Sequence, residues 1–337
     1  RGNLAHVNIV TSMMFACISG SAAAGAAVVG SVLGRSMVKK GFKPQFAGAL
    51  TAVSSVMGPI IPPSIPMIIF AVLTEQSVGK LFLAGMIPGI LIGASLMGYC
   101  YFMAVRKGWD KGEPFSRNRA LTTGRDAIVA LFVPIFILVG ILGGIFTATE
   151  AGAIAVGYSF VAGMFILKEL TWAGFYQALV RASIGTATVL VVVGASSVIA
   201  WIIADLQVAK QVSAVMFSIS ENPMVVLLMI NIFLLIVGLF LDALPAIIIL
   251  TPIFFPIAVS MGIDPTHFGV VMIVNLLIGL CTPPVGILLY LSAAAVETRP
   301  EGVIREAIPM VVILISVLML ITYVPSIVLT FPNMFYD

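Results

Sequence analysis

The sequence predicts an all-α protein that crosses a membrane several times and is built from two copies of one unit. Three observations carry this. Of 337 residues, 61% are hydrophobic and only 9% are charged, with a mean hydropathy of +1.17. A soluble chain carries about a quarter charged residues. Apolar runs such as 127–145 and 303–323 are long enough to cross roughly 30 Å of hydrocarbon as helices. Finally, the chain falls on itself when shifted by 221 residues, without a gap: Gly41, Pro44, Gly48, Pro62, Pro63 and Pro88 land on Gly262, Pro265, Gly269, Pro283, Pro284 and Pro309.

Apolar runs and their punctuation predict the elements in order. Two short stretches, 4–18 and 22–34, are split by Ser19-Gly20-Ser21 and fit a re-entrant hairpin. A run over 45–73 is broken in its middle by GPIIPPS at 58–64. A span follows at about 81–105, then a polar, basic loop over 106–125. Three more spans lie near 127–146, 150–167 and 184–204. An amphipathic stretch at 206–220 sets Val208, Val212, Val215 and Ile219 on one face. Then the opening pattern returns, with hairpin limbs at 224–240 and 246–260, a broken run at 266–296 and a span at 303–325.

Charge predicts orientation. Of the 17 Lys and Arg residues, 15 fall on one side of this map, and only Lys80 and Lys210 fall on the other. Cytoplasmic loops are the basic ones. Lys39 and Arg117 are therefore expected in the cytoplasm, and Asp264 and Asp337 outside. The first hairpin opens to the cytoplasm. Three spans separate the copies, and an odd number inverts the second, so the repeats are inverted. By the same symmetry, roughly 90 to 100 residues equivalent to 126–222 are expected ahead of Arg1.

Cys17, Cys100 and Cys281 sit in apolar runs, which predicts buried thiols and no disulfide. His6 and His267 have no metal-ligand spacing. A net charge of +3 gives no reason to expect a nucleic-acid partner. No His–Asp pair, metal-ligand cluster or Ser/Lys dyad is apparent, so the chain is not expected to be an enzyme.

The four breaks carry the chemistry: Ser19-Gly20-Ser21, Gly58 to Ser64, Leu241 to Pro245, and Gly279 to Gly286. Lipid cannot satisfy the backbone groups that they free, so these must face protein, water or ligand. Proline and glycine there release carbonyl oxygens, hard ligands suited to Na⁺. Ser21, Ser64 and Thr282 add hydroxyls. Helix N-termini at the breaks offer amides and partial positive charge to a carboxylate. The inventory suits sodium-coupled uptake of a small organic anion, with Ser19, Ser21, Ser64, Asp242 and Thr282 as candidate substrate contacts. Asp242 lies deep in an apolar stretch, where a carboxylate marks a functional site or caps the helix that Pro245 opens; the two roles are compatible. Ser19 and Ser21 serve either as ligands or as helix hydrogen bonders. Glu150 reads as a helix-start residue, Asn231 and Asn275 as interhelical hydrogen bonders, and Pro134 and Pro325 as kinks.

At these motifs the chain resembles the large membrane subunit of TRAP transporters, the tripartite ATP-independent periplasmic carriers. The resemblance covers essentially the whole chain. It rests on MMFACISGSAAAG at 13–25, GPIIPPSIPMIIF at 58–70, GIFTATEAGAIAV at 145–157, FLDALPAIIILTPIFFPI at 240–257 and HFGVVMIVNLLIGLCTPPVGILLY at 267–290.

It implies an elevator fold in the bacterial inner membrane, driven by Na⁺ at about two sites, with no organic cofactor. The implied transport domain comprises 1–108 and 223–337; 109–222 would supply the cytoplasmic loop, scaffold helices and amphipathic arm. Implied partners are a small four-helix membrane subunit, a periplasmic substrate-binding protein, the lipid bilayer and a small organic acid. One sodium site would use Ser19, Gly20, Ser21, Gly58, Pro62 and Pro63. The other would use Leu241, Asp242, Thr282, Pro283, Pro284 and Gly286. Many members carry an Asp shortly after the first tip, where this chain has Gly25. A two-component divalent-anion/Na⁺ symporter of similar fold, needing no binding protein, is the alternative.

Overall fold

The computed structural model describes residues 2–109 and 117–336, and every regular element among them is helical. Arg1, Asp337 and residues 110–116, the middle of the expected polar loop, lie outside the described residues.

The first tip forms as its residue types dictate. Helix α1 (Asn3–Ser19) ends at Gly20, whose φ of 58° is left-handed and suits glycine. Ser21 then caps α2 (Ala22–Val29) by accepting the Ala24 amide at 3.3 Å. A π-helical turn over Gly30–Gly34 carries α2 into α3 (Arg35–Lys39), so the second limb outruns the expected 22–34. Proline at N1 opens α4 (Pro44–Ser55). The break follows, then α5 (Ile65–Thr74) and α6 (Val78–Arg106).

Beyond the undescribed loop lie α7 (Arg117–Leu142), α8 (Ala148–Val161) and α9 (Trp172–Asp205). Helix is thus already present at Arg117, inside the expected loop, and α9 begins twelve residues ahead of the expected span. The amphipathic stretch is α10 (Val208–Ile219). The second hairpin is α11 (Pro223–Gly238) and α12 (Ala243–Ser260), followed by α13 (Pro265–Gly279), α14 (Ile287–Ala295) and α15 (Pro300–Tyr323). Pro325 opens a further helix, α16 (Pro325–Tyr336), where a mere kink was expected.

Several element boundaries keep the 221-residue spacing. Helices start at Ala22 and Ala243, end at Lys39 and Ser260, and start again at Pro44 and Pro265. Gly41 and Gly262 both take left-handed φ, at 89° and 75°. The Pro62-Pro63 and Pro283-Pro284 peptide bonds are both cis. The prolines and glycines hold this register throughout, but the caps that follow the double prolines depart from it by one residue. Ser64 caps α5 directly after Pro63, whereas Val285 intervenes before Gly286, which takes the cap position of α14.

By internal contacts the chain forms two units, Arg1–Gly112 with Ile199–Asp337, and Glu113–Val198. In the first, α4 and α13 are the core helices. Every residue from Phe46 to Ser55 and from Thr266 to Gly279 is buried, as an all-round apolar helix requires. The packing is reciprocal. Helix α1 lies on α4 and α11 on α13; α2 lies on α14 and α12 on α5; α15 lies on α4 and α6 on α13. Helix α10 packs on α12, and α16 on α6.

Buried polar groups stitch each first limb to its core helix. Asn8 donates to Thr51 Oγ1 at 2.9 Å, and the hydroxyls of Ser12 and Ser54 meet at 2.9 Å. In the other half, Asn275 Nδ2 donates to Asn231 Oδ1 at 2.7 Å, and Asn231 donates to Thr322 at 3.1 Å. The expected interhelical role of both asparagines is therefore met. Cys100 and Cys281 are buried, Cys17 is half-buried, and all three are free thiols.

In the second unit, the Tyr158 hydroxyl donates to the Val129 carbonyl at 2.9 Å, and Phe160 and Phe175 pack with ring centroids 4.6 Å apart. Thr147 and Glu150 form a capping box, the helix-start role expected of Glu150. Among the described residues, five helices are long and apolar enough to cross a membrane: Val78–Arg106, Ala148–Ile166, Trp172–Asp205, Ala243–Ser260 and Pro300–Tyr323. In α9, an apolar helix, only Ser196 is buried.

Candidate functional site: a cavity at four helix starts

The breaks converge within the first unit. A cavity of about 140 Å³ is walled by the opening residues of four helices: Ala22 and Ala23 of α2, Ile65 and Pro66 of α5, Ala243 and Leu244 of α12, and Ile287 and Leu288 of α14. Gly20, Ser21, Pro59, Asp242, Leu277 and Leu280 complete the wall.

Helix starts leave amides without intrahelical partners. Some are satisfied here. Ser21 Oγ takes the Ala24 amide, Ser64 Oγ takes that of Met67 at 3.3 Å, and Asp242 Oδ1 takes that of Ala243 at 2.7 Å. The Leu288 amide donates to the Leu280 carbonyl at 3.1 Å. Pro66 and Pro245 have no amide to satisfy. Among the described residues, the amides of Ala22, Ala23, Ile65, Leu244 and Ile287 remain without a partner. All five residues line the cavity. Each helix start also carries about half a positive charge. This concentrates hydrogen-bond donors and positive potential on one apolar space, the chemistry that holds a carboxylate or sulfonate.

The first group of predicted ion ligands is brought together. A Cβ added to Gly20 would stand 3.0 Å from the Pro63 carbonyl oxygen, and one on Gly58 3.2 Å from the Ser21 carbonyl oxygen. The hairpin tip therefore rests on the Pro62-Pro63 break with carbonyl oxygens at the contact. Ser19 Oγ folds back to within 3.4 Å of both the amide and the carbonyl of Ser21.

The second group is more spread. Gly238 and Gly279 touch backbone to backbone; a Cβ on Gly279 would lie 2.5 Å from the Gly238 carbonyl carbon. Asp242 lines the cavity, and Leu241 precedes it. Thr282 donates to the Ile278 carbonyl at 2.7 Å, and a Cβ on Gly286 would stand 3.2 Å from the Thr282 carbonyl oxygen. Thr282, Pro283, Pro284 and Gly286 are not on the cavity wall.

Of the predicted substrate contacts, Ser21 and Asp242 reach the wall, and Ser19, Ser64 and Thr282 do not. The Ser64 hydroxyl is fully buried, donating to the Pro59 carbonyl and accepting from Met67. Asp242 is the helix cap that Pro245 foreshadowed. Sequence reasoning missed the five amides as individuals, although each lies within two residues of a cap in a break. It also missed Arg35, whose Nε donates to the Ala295 carbonyl at 2.8 Å and whose guanidinium pairs with Glu297 at 3.0 Å.

A family model described as the tripartite ATP-independent periplasmic transporter, DctM component, matches residues 1–327. An isethionate TRAP transporter permease protein of Oleidesulfovibrio alaskensis is 40% identical over 334 residues, 98% of this chain and 52% of its own length. The sialic acid TRAP transporter large permease protein of Vibrio cholerae is 38% identical over 334 residues, 99% of this chain and 78% of its own. A C4-dicarboxylate TRAP transporter large permease protein of Pseudomonas aeruginosa is 37% identical over 333 residues, again 99% of this chain and 78% of its own length. The chain thus spans about half of the first relative and about four-fifths of the other two.

Proposed function

This chain belongs to the DctM-component family of tripartite ATP-independent periplasmic transporters, and from that premise we propose that it forms the translocation path of a Na⁺-coupled carrier of small organic anions in the bacterial inner membrane. The observation that carries this reading is the set of five unpartnered amides, from four helix starts, on one apolar cavity. Relatives named for isethionate, sialic acid and C4-dicarboxylates are permeases for organic acids, which agrees with an anion site.

In this reading the two halves are inverted repeats. The 221-residue spacing of several helix boundaries and the reciprocal packing of α2 on α14 and α12 on α5 support it. Na⁺ binds where each tip meets its break, through backbone carbonyls and the Ser19, Ser21 and Thr282 hydroxyls. The carbonyls of Ser21 and Pro63 support the first site by lying at the tip-to-break contact. Occupied sodium sites pull the tips onto the breaks and so fix the first turns that hold the anion, which couples the two ligands. Residues 1–108 and 223–337 then move as one body past a scaffold that includes 109–222, in an elevator cycle. A periplasmic binding protein delivers the substrate, and a small four-helix membrane subunit completes the complex.

Uptake into proteoliposomes holding the full assembly tests this. Accumulation should require both an inward Na⁺ gradient and the binding protein. Accumulation without a Na⁺ gradient contradicts the coupling. Accumulation without the binding protein favours a two-component symporter of similar fold.

A further inference from the structure

The second limbs of the two hairpins press on the broken helices along corresponding ridges of unlike make. In the first hairpin the ridge is Ala22, Ala26, Gly30 and Gly34, spaced four apart and so on one helix face. Ala22 lines the cavity, and from there the ridge follows α14. A Cβ on Gly30 would stand 2.8 Å from the Ala295 Cβ, and one on Gly34 2.6 Å from Val296 Cγ1. In the second hairpin, 221 residues on, the ridge is Ala243, Ile247, Thr251 and Phe255. It too starts at the cavity, and it lies on α5, where the Phe255 and Phe70 rings meet edge-on with centroids 5.9 Å apart. The far ends of the ridges differ as well. Arg35, next after Gly34, ties its limb to the end of α14 through the Ala295 carbonyl and the Glu297 carboxylate. Pro256, its counterpart, can make neither contact.

Parting a seam wets it, at a cost that grows with the apolar area exposed. The alanine and glycine ridge exposes little and has no long side chain to withdraw. The other ridge exposes Ile247 and Phe255 and must pull one ring off another. The polar groups freed at Arg35 are ones that water satisfies. Arg35 and Glu297 already stand 50% and 74% exposed, so their tie is weak and screened by salt. We propose that the seam between the first hairpin and α14 parts to release the transported anion to the cytoplasm, with Arg35 as its latch, while the seam between α12 and α5 stays shut. The inference rests on the transport reading above, with the basic side, where Arg35 stands, in the cytoplasm. The anion leaves along the ridge from Ala22 to Gly34 once Na⁺ has left the first tip and the latch has opened.

The test labels the full transporter with a membrane-impermeant maleimide, in vesicles of either orientation, with Cys17, Cys100 and Cys281 replaced by alanine. The reporters are Ala26→Cys and Ile247→Cys, corresponding ridge residues that are both fully buried, so alkylation reads a parted seam. Without Na⁺, Ala26→Cys should react from the cytoplasmic side, and Na⁺ should slow it several-fold. Arg35→Gln should speed that reaction several-fold and remove its acceleration by potassium chloride. Arg35→Lys, which keeps the ion pair, should fall between. Ile247→Cys should stay unreactive from both sides in every background. Gly30→Cys with Ala295→Cys, close enough for a disulfide when the seam is shut, should stop Na⁺-driven uptake in proteoliposomes when oxidised and recover it on reduction. Equal rates at the two reporters overturn the proposal. So do an Arg35→Gln variant that leaves the Ala26→Cys rate unchanged or speeds both reporters alike, and full uptake by the oxidised pair. The transport reading survives each of these. If proteoliposomes show no Na⁺-driven uptake of any anion, both fall.

Discussion

Ser21 and Asp242 stand 221 residues apart and cap two helices, α2 and α12, whose first turns line the same cavity. The caps are unlike. Ser21 takes the third amide of its helix and leaves Ala22 and Ala23 open; Asp242 takes the first and leaves Leu244 open. One side of the cavity is therefore neutral and rich in donors, and the other carries a charge.

Cap and charge separate experimentally. Ser21→Ala should cost about 1 kcal/mol of stability through the lost cap. Ser21→Asp should keep the cap, and therefore the melting temperature. It should weaken anion binding about tenfold by placing a second carboxylate among the donors. Thermal melts with and without ligand check both. Equal ligand affinity in Ser21→Asp and wild type would remove α2 from the anion site.

Close backbone approach fixes a second outcome. Gly238 and Gly279 leave no room for a side chain, and the atoms that a Cβ would strike are backbone. Gly279→Ala should therefore destabilise by several kcal/mol or abolish folded protein, because the backbone must separate. Gly152→Ala, where a Cβ meets nothing within 4 Å, should be neutral. Expression and melting temperature of the two variants decide it.

The bond between Asn231 and Asn275 gives a third. Removing Asn275 leaves the buried Asn231 oxygen without its donor, which should cost about 1–3 kcal/mol. Asn275→Ala in an Asn231→Leu background should cost measurably less, and a double-mutant cycle reads the difference.

Legibility followed the range of the interaction. Tips, breaks and caps were readable because serine, glycine and proline act on their own backbone: Ser21, Gly20 and Asp242 do what their residue types dictate. The apolar spans were readable from length alone. What escaped was non-local or a matter of one residue. The contacts of α2 with α14 and of α12 with α5 join segments more than 150 residues apart, and no local pattern announces them. The offset between Ser64 and Gly286 hides because the flanking prolines stay in register. The Ser64 hydroxyl looked available, yet burial commits it to Pro59 and Met67. Helix α16 was missed because Pro325 reads as a kink as readily as a helix start.

Thr282 is a fourth test. Its hydroxyl donates to the Ile278 carbonyl and keeps lone pairs for an ion. Thr282→Val should leave the protein folded and raise the Na⁺ concentration needed for half-maximal uptake. An unchanged Na⁺ dependence removes this hydroxyl from the proposed ligands.

The cavity itself is the most direct object of measurement. Ala23 is exposed on its wall and carries one of the open amides. In the full transporter, with Cys17, Cys100 and Cys281 replaced by alanine, a cysteine at position 23 should react with a maleimide at a measurable rate. Na⁺ together with the transported anion should slow that rate several-fold, and the anion without Na⁺ should slow it little. An alkylation rate indifferent to both ligands, at concentrations that saturate uptake, would place substrate and sodium elsewhere and contradict the account.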